Sequence, residues 1–137
     1  AVSNEYAQYR KEVSVDEAMD APPVAEPLHL YDACPITDGA SALVLVSEGS
    51  AAEHDLDATV AVTGTGQGTD RMALGDREHL ARTPAADDAA DAAYADAGVE
   101  AVDVDLAEVH DCFTVAEVLA LESLGLFEPG EGLSAAR

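Results

Sequence analysis

Apolar positions come in short runs separated by acidic and small residues, and three of these runs have strand length. Ala40 to Ser47 (ASALVLVS) is apolar almost throughout, bounded by Asp38-Gly39 and by Glu48-Gly49-Ser50. A continuous run of that length suits a strand buried on both faces. Thr59 to Thr65 (TVAVTGT) is rich in β-branched residues and predicts a second strand, after which Gly64, Gly66 and Gly68 open a loop. Val104 to His110 predicts the third strand.

Helix signals fill the gaps. Ser14-Val15-Asp16-Glu17 fits a capping box, with Ser14 as N-cap and Glu17 reaching back from the third helical position. That short helix should stop before Pro22-Pro23. Thr83-Pro84 predicts a second start, Asp87 and Asp88 fall in its first turn, and alanines carry it to Gly98. Thr114-Val115-Ala116-Glu117 reads as another capping box. Its helix should bury Val115, Val118 and Leu119 and stop at Gly125. Residues 129–132 (Pro-Gly-Glu-Gly) are loop. The order strand, strand, helix, strand, helix predicts an α/β chain with a parallel or mixed sheet under helical cover. Residues 1–27, polar and proline-spaced, read as an extended arm that needs a partner surface.

Composition changes the picture in two ways. A chain of 137 residues can bury roughly 68% of its extended surface, enough for one real core. Alanine and valine dominate the apolar residues, aromatics are only 4% and Trp is absent, so that core should use small side chains. Charge is the second. Asp and Glu number 28 against 6 Lys and Arg, a net charge of −22. Such a chain repels itself and disfavours nucleic acid and anionic lipid as partners. The acids are scattered between apolar residues, which fits a salt-adapted, halophilic surface better than a disordered acidic tail. Strong salt shortens the screening length from ~8 Å to ~3 Å and removes most of the repulsion. No run of about 18 apolar residues could span a membrane. No targeting segment is visible, and a cytoplasmic location is expected. The chain starts at Ala1 and reads as processed, or as part of something longer.

Chemistry concentrates in Glu108-Val109-His110-Asp111-Cys112-Phe113, at a predicted strand-to-helix junction. His110 and Cys112 would share a side if the strand continues through them. A thiol near a helix N-terminus and a histidine has a lowered pKa, so Cys112 is a candidate nucleophile, and a Cys112-dependent hydrolase is one reading. The alternative is a buried structural thiol beside a hydrogen-bonded histidine. A second patch, residues 28–42 (LHLYDACPITDGASA), is by itself only a loop entering a buried strand. Gly64-x-Gly66-x-Gly68 falls short of a dinucleotide fingerprint, which needs a third glycine at the place Thr69 occupies. His29, His54, His79 and His110 do not pair at metal-ligand spacing, and His54 and His79 look like surface residues, so no metal is expected.

Together, His110-Asp111-Cys112-Phe113 and Cys34-Pro35-Ile36-Thr37-Asp38-Gly39-Ala40 resemble the thiolase family, specifically its archaeal or sterol-carrier-protein type. The resemblance runs from about Val13 to Gly132. It implies an incomplete two-half thiolase fold. Residues 1–27 would be an arm resembling the end of the loop region, 28–56 the last strand of the N-half, and 57–137 the first part of the C-half. It implies an acyltransferase of the acetyl-CoA acetyltransferase kind, making or cleaving 3-ketoacyl-CoA through a cysteine thioester and Claisen condensation. His110 would then support the enolate oxygen in an oxyanion hole. Phe113 would line the acyl and pantetheine pocket, Cys34 would lie near the pantetheine arm, and Cys112 would be structural. No prosthetic group is implied, since the coenzyme A thioester is a substrate. Implied partners are acyl-CoA, further copies in a homodimer or tetramer, and a hydroxymethylglutaryl-CoA synthase.

The sequence departs from the family pattern where the pattern is most reactive. It contains no Gly-His-Pro, and neither cysteine stands at the family's nucleophile or acid/base position. The 137 residues alone are therefore expected to be inactive. A non-catalytic thiolase-like carrier of acyl groups or lipids remains an alternative.

Overall fold

A computed structural model describes residues 2–57 and 60–136 of the chain. Helix α1 spans Val15–Met19. Its box is formed in full: Ser14 Oγ accepts from Glu17 N at 3.1 Å, and Glu17 Oε2 accepts from Ser14 N at 3.0 Å. Lys11 Nζ lies 3.4 Å from Glu17 Oε1. The Ser14 N–H first, and then the Lys11 charge, hold the Glu17 carboxyl below the usual carboxylate range. Lys11 is raised in turn, first by Glu17 and then by Tyr31. After Pro22 a small antiparallel hairpin pairs β1 (Pro23–Ala25) with β2 (Leu28–His29), and a single 3₁₀ turn follows at Leu30–Asp32. The sequence pattern did not predict this hairpin.

Among the described residues the predicted mixed sheet is not formed, and the sheet present is the two-stranded hairpin. Residues 40–47 and 104–110 carry no strand pairing, nor do residues 60–65 of the second predicted strand; Thr59 lies outside the described residues. Most of their larger apolar side chains stand in solvent, although Val104 and Val109 are half-buried. Val44 and Val60 are each 89% exposed, and Leu106 is 75% exposed. A strand becomes regular only when a neighbour takes its N–H and C=O groups, so a strongly apolar run without one keeps its propensity but gains no ladder. Between the first two runs stands helix α2 (Glu48–Glu53), capped by Ser47, whose Oγ accepts from Ser50 N at 3.2 Å.

The second half is better packed. Helix α3 (Pro84–Ala97) starts at Pro84 and ends on Gly98 in the left-handed conformation, φ 68°. Helix α4 (Thr114–Ser123) ends before Gly125, also left-handed at φ 69°. Both stops match the glycine signals. The starts match expectation only in part. Thr83 is the N-cap of α3 and Pro84 opens the helix, as predicted, but Thr83 Oγ1 bonds Ser123 Oγ on α4 instead of a helix N–H, and only Asp87 falls in the first turn. The N-cap of α4 is Phe113, so Thr114 is already helical and no capping box forms. Tyr94 donates to Leu124 O at 2.8 Å, a second tie between the two helices. Val118 and Leu119 are half-buried as expected, but Val115 is 55% exposed.

Residues 64–68 run along α3 instead of opening a loop. A Cβ built on Gly66 would stand 2.7 Å from Ala93 N and collide with Ala89 O, and one on Gly68 would collide with Ala85 O. Glycines two apart along an extended segment thus meet alanines four apart on a helix. The two repeats are nearly commensurate, about 6.8 Å against about 6 Å. Thr65 N donates to Asp96 Oδ2 at 3.0 Å and pins the register. The glycines therefore serve close backbone packing.

Among the described residues, the buried apolar side chains are Ala21, Ala51 and Ala90. The prediction of small core residues holds, but the prediction of a full core does not. The chain exposes 11423 Å², against roughly 6,700 Å² for a compact monomer of its mass. It buries about 44% of its extended surface, well below the roughly 68% expected of its length.

Candidate functional site

The two motif patches, remote in sequence, meet in space. Ala33 and Phe113 form an isolated antiparallel bridge, and Cys34 N donates to Cys112 O at 3.1 Å. Ala33 and Phe113 both have extended backbones, φ −123° and −138°, which lets the segments lie side by side. The bridge sits immediately before α4, so the turn after β2 abuts the start of that helix.

Asp32 fastens the junction, and sequence reasoning gave it no role. Its Oδ2 accepts from His29 N at 2.8 Å, which closes the turn, and its Oδ1 accepts from the Thr114 hydroxyl at 3.4 Å. One carboxylate therefore shapes its own turn and reaches the first residue of α4, where a negative charge suits the helix dipole. The spacing His29-x-x-Asp32 is the one local signal that could have suggested the first contact. Nothing local could have suggested the second.

Of the predicted site residues, the fold brings Cys34, Cys112 and Phe113 together. Cys34 is exposed and Cys112 half-buried, both as free thiols. Phe113 is 40% exposed, its ring free to add to an apolar surface. His110 is exposed two residues upstream of Cys112, and Ala33–Phe113 is an isolated bridge, so no ladder extends to His110. The shared side of His110 and Cys112 assumed a continuing strand, and that strand is not formed here. His54 and His79 are exposed, as their sequence context suggested.

Two open clefts lie on the chain. One, about 620 Å³, is lined by Val44–Val46, Ala51, Leu56 and Val60–Val62, with the carboxylates of Glu48 and Asp57. The other, about 440 Å³, runs beside α4 along Val115, Val118, Leu121 and Leu133. Among the described residues no three His, Cys, Asp or Glu side chains cluster to hold a metal ion, and no helix is long and apolar enough to cross a membrane.

Residues 66–137 match the family model described as thiolase C-terminal domain-like. The chain is 41% identical over 132 residues to an acetyl-CoA acetyltransferase of Methanothermobacter thermautotrophicus, and 38% identical to one of Methanocaldococcus jannaschii. Each alignment covers 96% of this chain and 34% of the relative. Sterol carrier protein 2 of Oryctolagus cuniculus is 33% identical, over 96% of this chain and 25% of its own length. The chain spans about a third of the length of the archaeal relatives it matches.

Proposed function

The chain belongs to the thiolase family, and from that premise we propose that the intact protein is an acyl-CoA acyltransferase of the acetyl-CoA acetyltransferase kind. Its reaction makes or cleaves 3-ketoacyl-CoA. In the synthetic direction an acyl group passes from the coenzyme A sulfur to an enzyme cysteine, and coenzyme A leaves as the thiol. A second acyl-CoA loses a proton from the carbon beside its carbonyl. The resulting enolate attacks the enzyme thioester, the new carbon–carbon bond forms, and the cysteine thiolate departs. The single observation that best supports a role for this region is the meeting of the two motif patches at Ala33–Phe113.

Within that reaction His110 donates to the enolate oxygen, directly or through a water. Donors held in place at a developing oxyanion are commonly the largest single contribution to the rate. Phe113 lines the acyl and pantetheine pocket, Cys34 lies beside the pantetheine arm, and Cys112 is structural. The nucleophile, its activating histidine and the acid/base cysteine lie outside these 137 residues, so the chain alone is inactive. Coenzyme A thioester is substrate and no prosthetic group takes part. The intact enzyme assembles as a dimer or tetramer, works beside a hydroxymethylglutaryl-CoA synthase, and operates in a salt-rich cytoplasm. The net charge of −22 supports that last point.

The test is acetoacetyl-CoA thiolysis by the intact protein. Replacing His110 with Ala should lower kcat by about 10²–10³-fold, and His110→Asn should recover part of it. Wild-type rates in His110→Ala would sink the assigned role. A second reading, a non-catalytic acyl or lipid carrier, takes support from the identity to sterol carrier protein 2. An intact protein that binds acyl-CoA but never turns it over would favour it.

A further inference from the structure

We propose that Cys34 and Cys112 are a thiol pair that closes reversibly into a disulfide, joining the two motif patches covalently. The inference stands on pairing geometry and does not depend on the acyl-transfer reading. Ala33 opposes Phe113 in an antiparallel bridge, so the next opposed pair is Cys34 with Cys112. The hydrogen bond from Cys34 N to Cys112 O, 3.1 Å, joins those two residues. Opposed residues in such a pairing point to the same face, with Cα atoms about 5.5 Å apart. Disulfides bridge Cα separations of about 4.4–6.8 Å. Both thiols are free, and the exposed Cys34 is open to a reagent in solution.

The oxidant is a low-molecular-weight disulfide. The Cys34 thiolate attacks one of its sulfurs, the S–S bond breaks, and one small thiol leaves. The half-buried Cys112 then attacks the Cys34 sulfur of the mixed disulfide and expels the second small thiol. Two protein thiols are oxidised, and one small disulfide is reduced to two thiols. Exposure favours such exchange, and exposed disulfides are the labile, reversible ones. The product would tether the turn after β2 to the segment bearing His110 and Phe113, adding a covalent link to the backbone and Asp32 contacts already there.

The intact protein is treated with glutathione disulfide, alkylated, and digested with trypsin without reduction. Cleavage falls after Lys11, Arg71 and Arg82, so Cys34 and Cys112 lie on separate peptides. The expected result is a cross-linked species joining the peptide that starts at Glu12 to the one that starts at Thr83. It should disappear after dithiothreitol treatment and be absent from Cys34→Ser and Cys112→Ser. In Cys112→Ser, Cys34 should stop at the mixed disulfide. The proposal is overturned if wild-type Cys34 also stops there, if both thiols stay unreacted, or if either cysteine cross-links elsewhere in preference. The wild-type cross-link decides the matter even if a variant folds poorly.

Discussion

Two regions of this chain have opposite outcomes, and the more apolar of the two is the one left uncovered. Residues 64–98 pack a glycine-spaced segment onto an alanine-striped helix, with Thr65 locked to Asp96. Residues 40–62 carry larger side chains, yet Val44, Leu45 and Val60 stand in solvent around an open cleft. The difference lies in where each region's complement is found. Small side chains let two backbones of the same chain approach closely, so that contact is complete within it. Branched side chains need a facing layer and a paired edge, and these residues supply neither. An unpaired apolar edge of this kind invites association with another strand.

The strongest way to break the comparison is a charge in the valine run. Val44→Asp should be nearly silent in the 137-residue chain, within about 0.5 kcal/mol by urea denaturation, because the site is already solvated. In the intact protein the same change should cost about 4 kcal/mol or more, the cost of an unpaired buried charge. Equal tolerance in both would show that this run never acquires a covering layer.

The packed region breaks differently. Gly66→Val drives a branched side chain into the backbone of α3 at Ala89 and Ala93. Overpacking of that kind should cost about 3 kcal/mol, in the chain and in the intact protein alike. Gly49→Ala is the control: its nearest neighbour would be Ser47 Oγ at 4.0 Å, and it lies inside α2. It should be neutral or stabilise by about 0.5–1 kcal/mol. If Gly66→Val unfolds no more readily than Gly49→Ala, the close packing is not holding the region. A finer cut is Tyr94→Phe, which removes the bond to Leu124 O and leaves the ring. It should cost about 1 kcal/mol, read as a lower urea midpoint at unchanged slope.

The same contrast explains what was legible in the sequence. Helix stops at Gly98 and Gly125 and the box at Ser14 were readable because each is settled by a few neighbouring residues. The three strands were readable as propensity only, since pairing requires residues that the pattern cannot name. The pairing of Cys34 with Cys112 was not readable at all. Their spacing carries no signal, and the contact arises because an Asp32 turn and the approach to α4 converge. The glycine triplet was read as a loop because its complement, the Ala85–Ala97 stripe, lies on a different element and looks like ordinary helix propensity. The motif His110–Phe113 was legible through family likeness, whereas its setting depends on layers that these residues do not include.

The smallest effect belongs to the arm, which is poorly buried yet locally satisfied. Glu17 accepts from Ser14 N and sits beside Lys11, so its carboxyl titrates below its ordinary value of 4.5. A depressed carboxyl stabilises the folded form above its unfolded value and loses that contribution as pH falls through the folded one. The box should therefore be intact at neutral pH and open in acid, with a midpoint below 4.5. The Ser14 amide proton, followed by NMR across that range, reports the opening directly. In Glu17→Gln the side chain can still accept from Ser14 but cannot ionise. Its Ser14 resonance should stay flat where the wild type moves, and thermal unfolding of the rest of the chain should hardly change. A wild-type midpoint at or above 4.5 would mean that the box is not formed in solution, and that the arm takes its shape only from a surface laid against it.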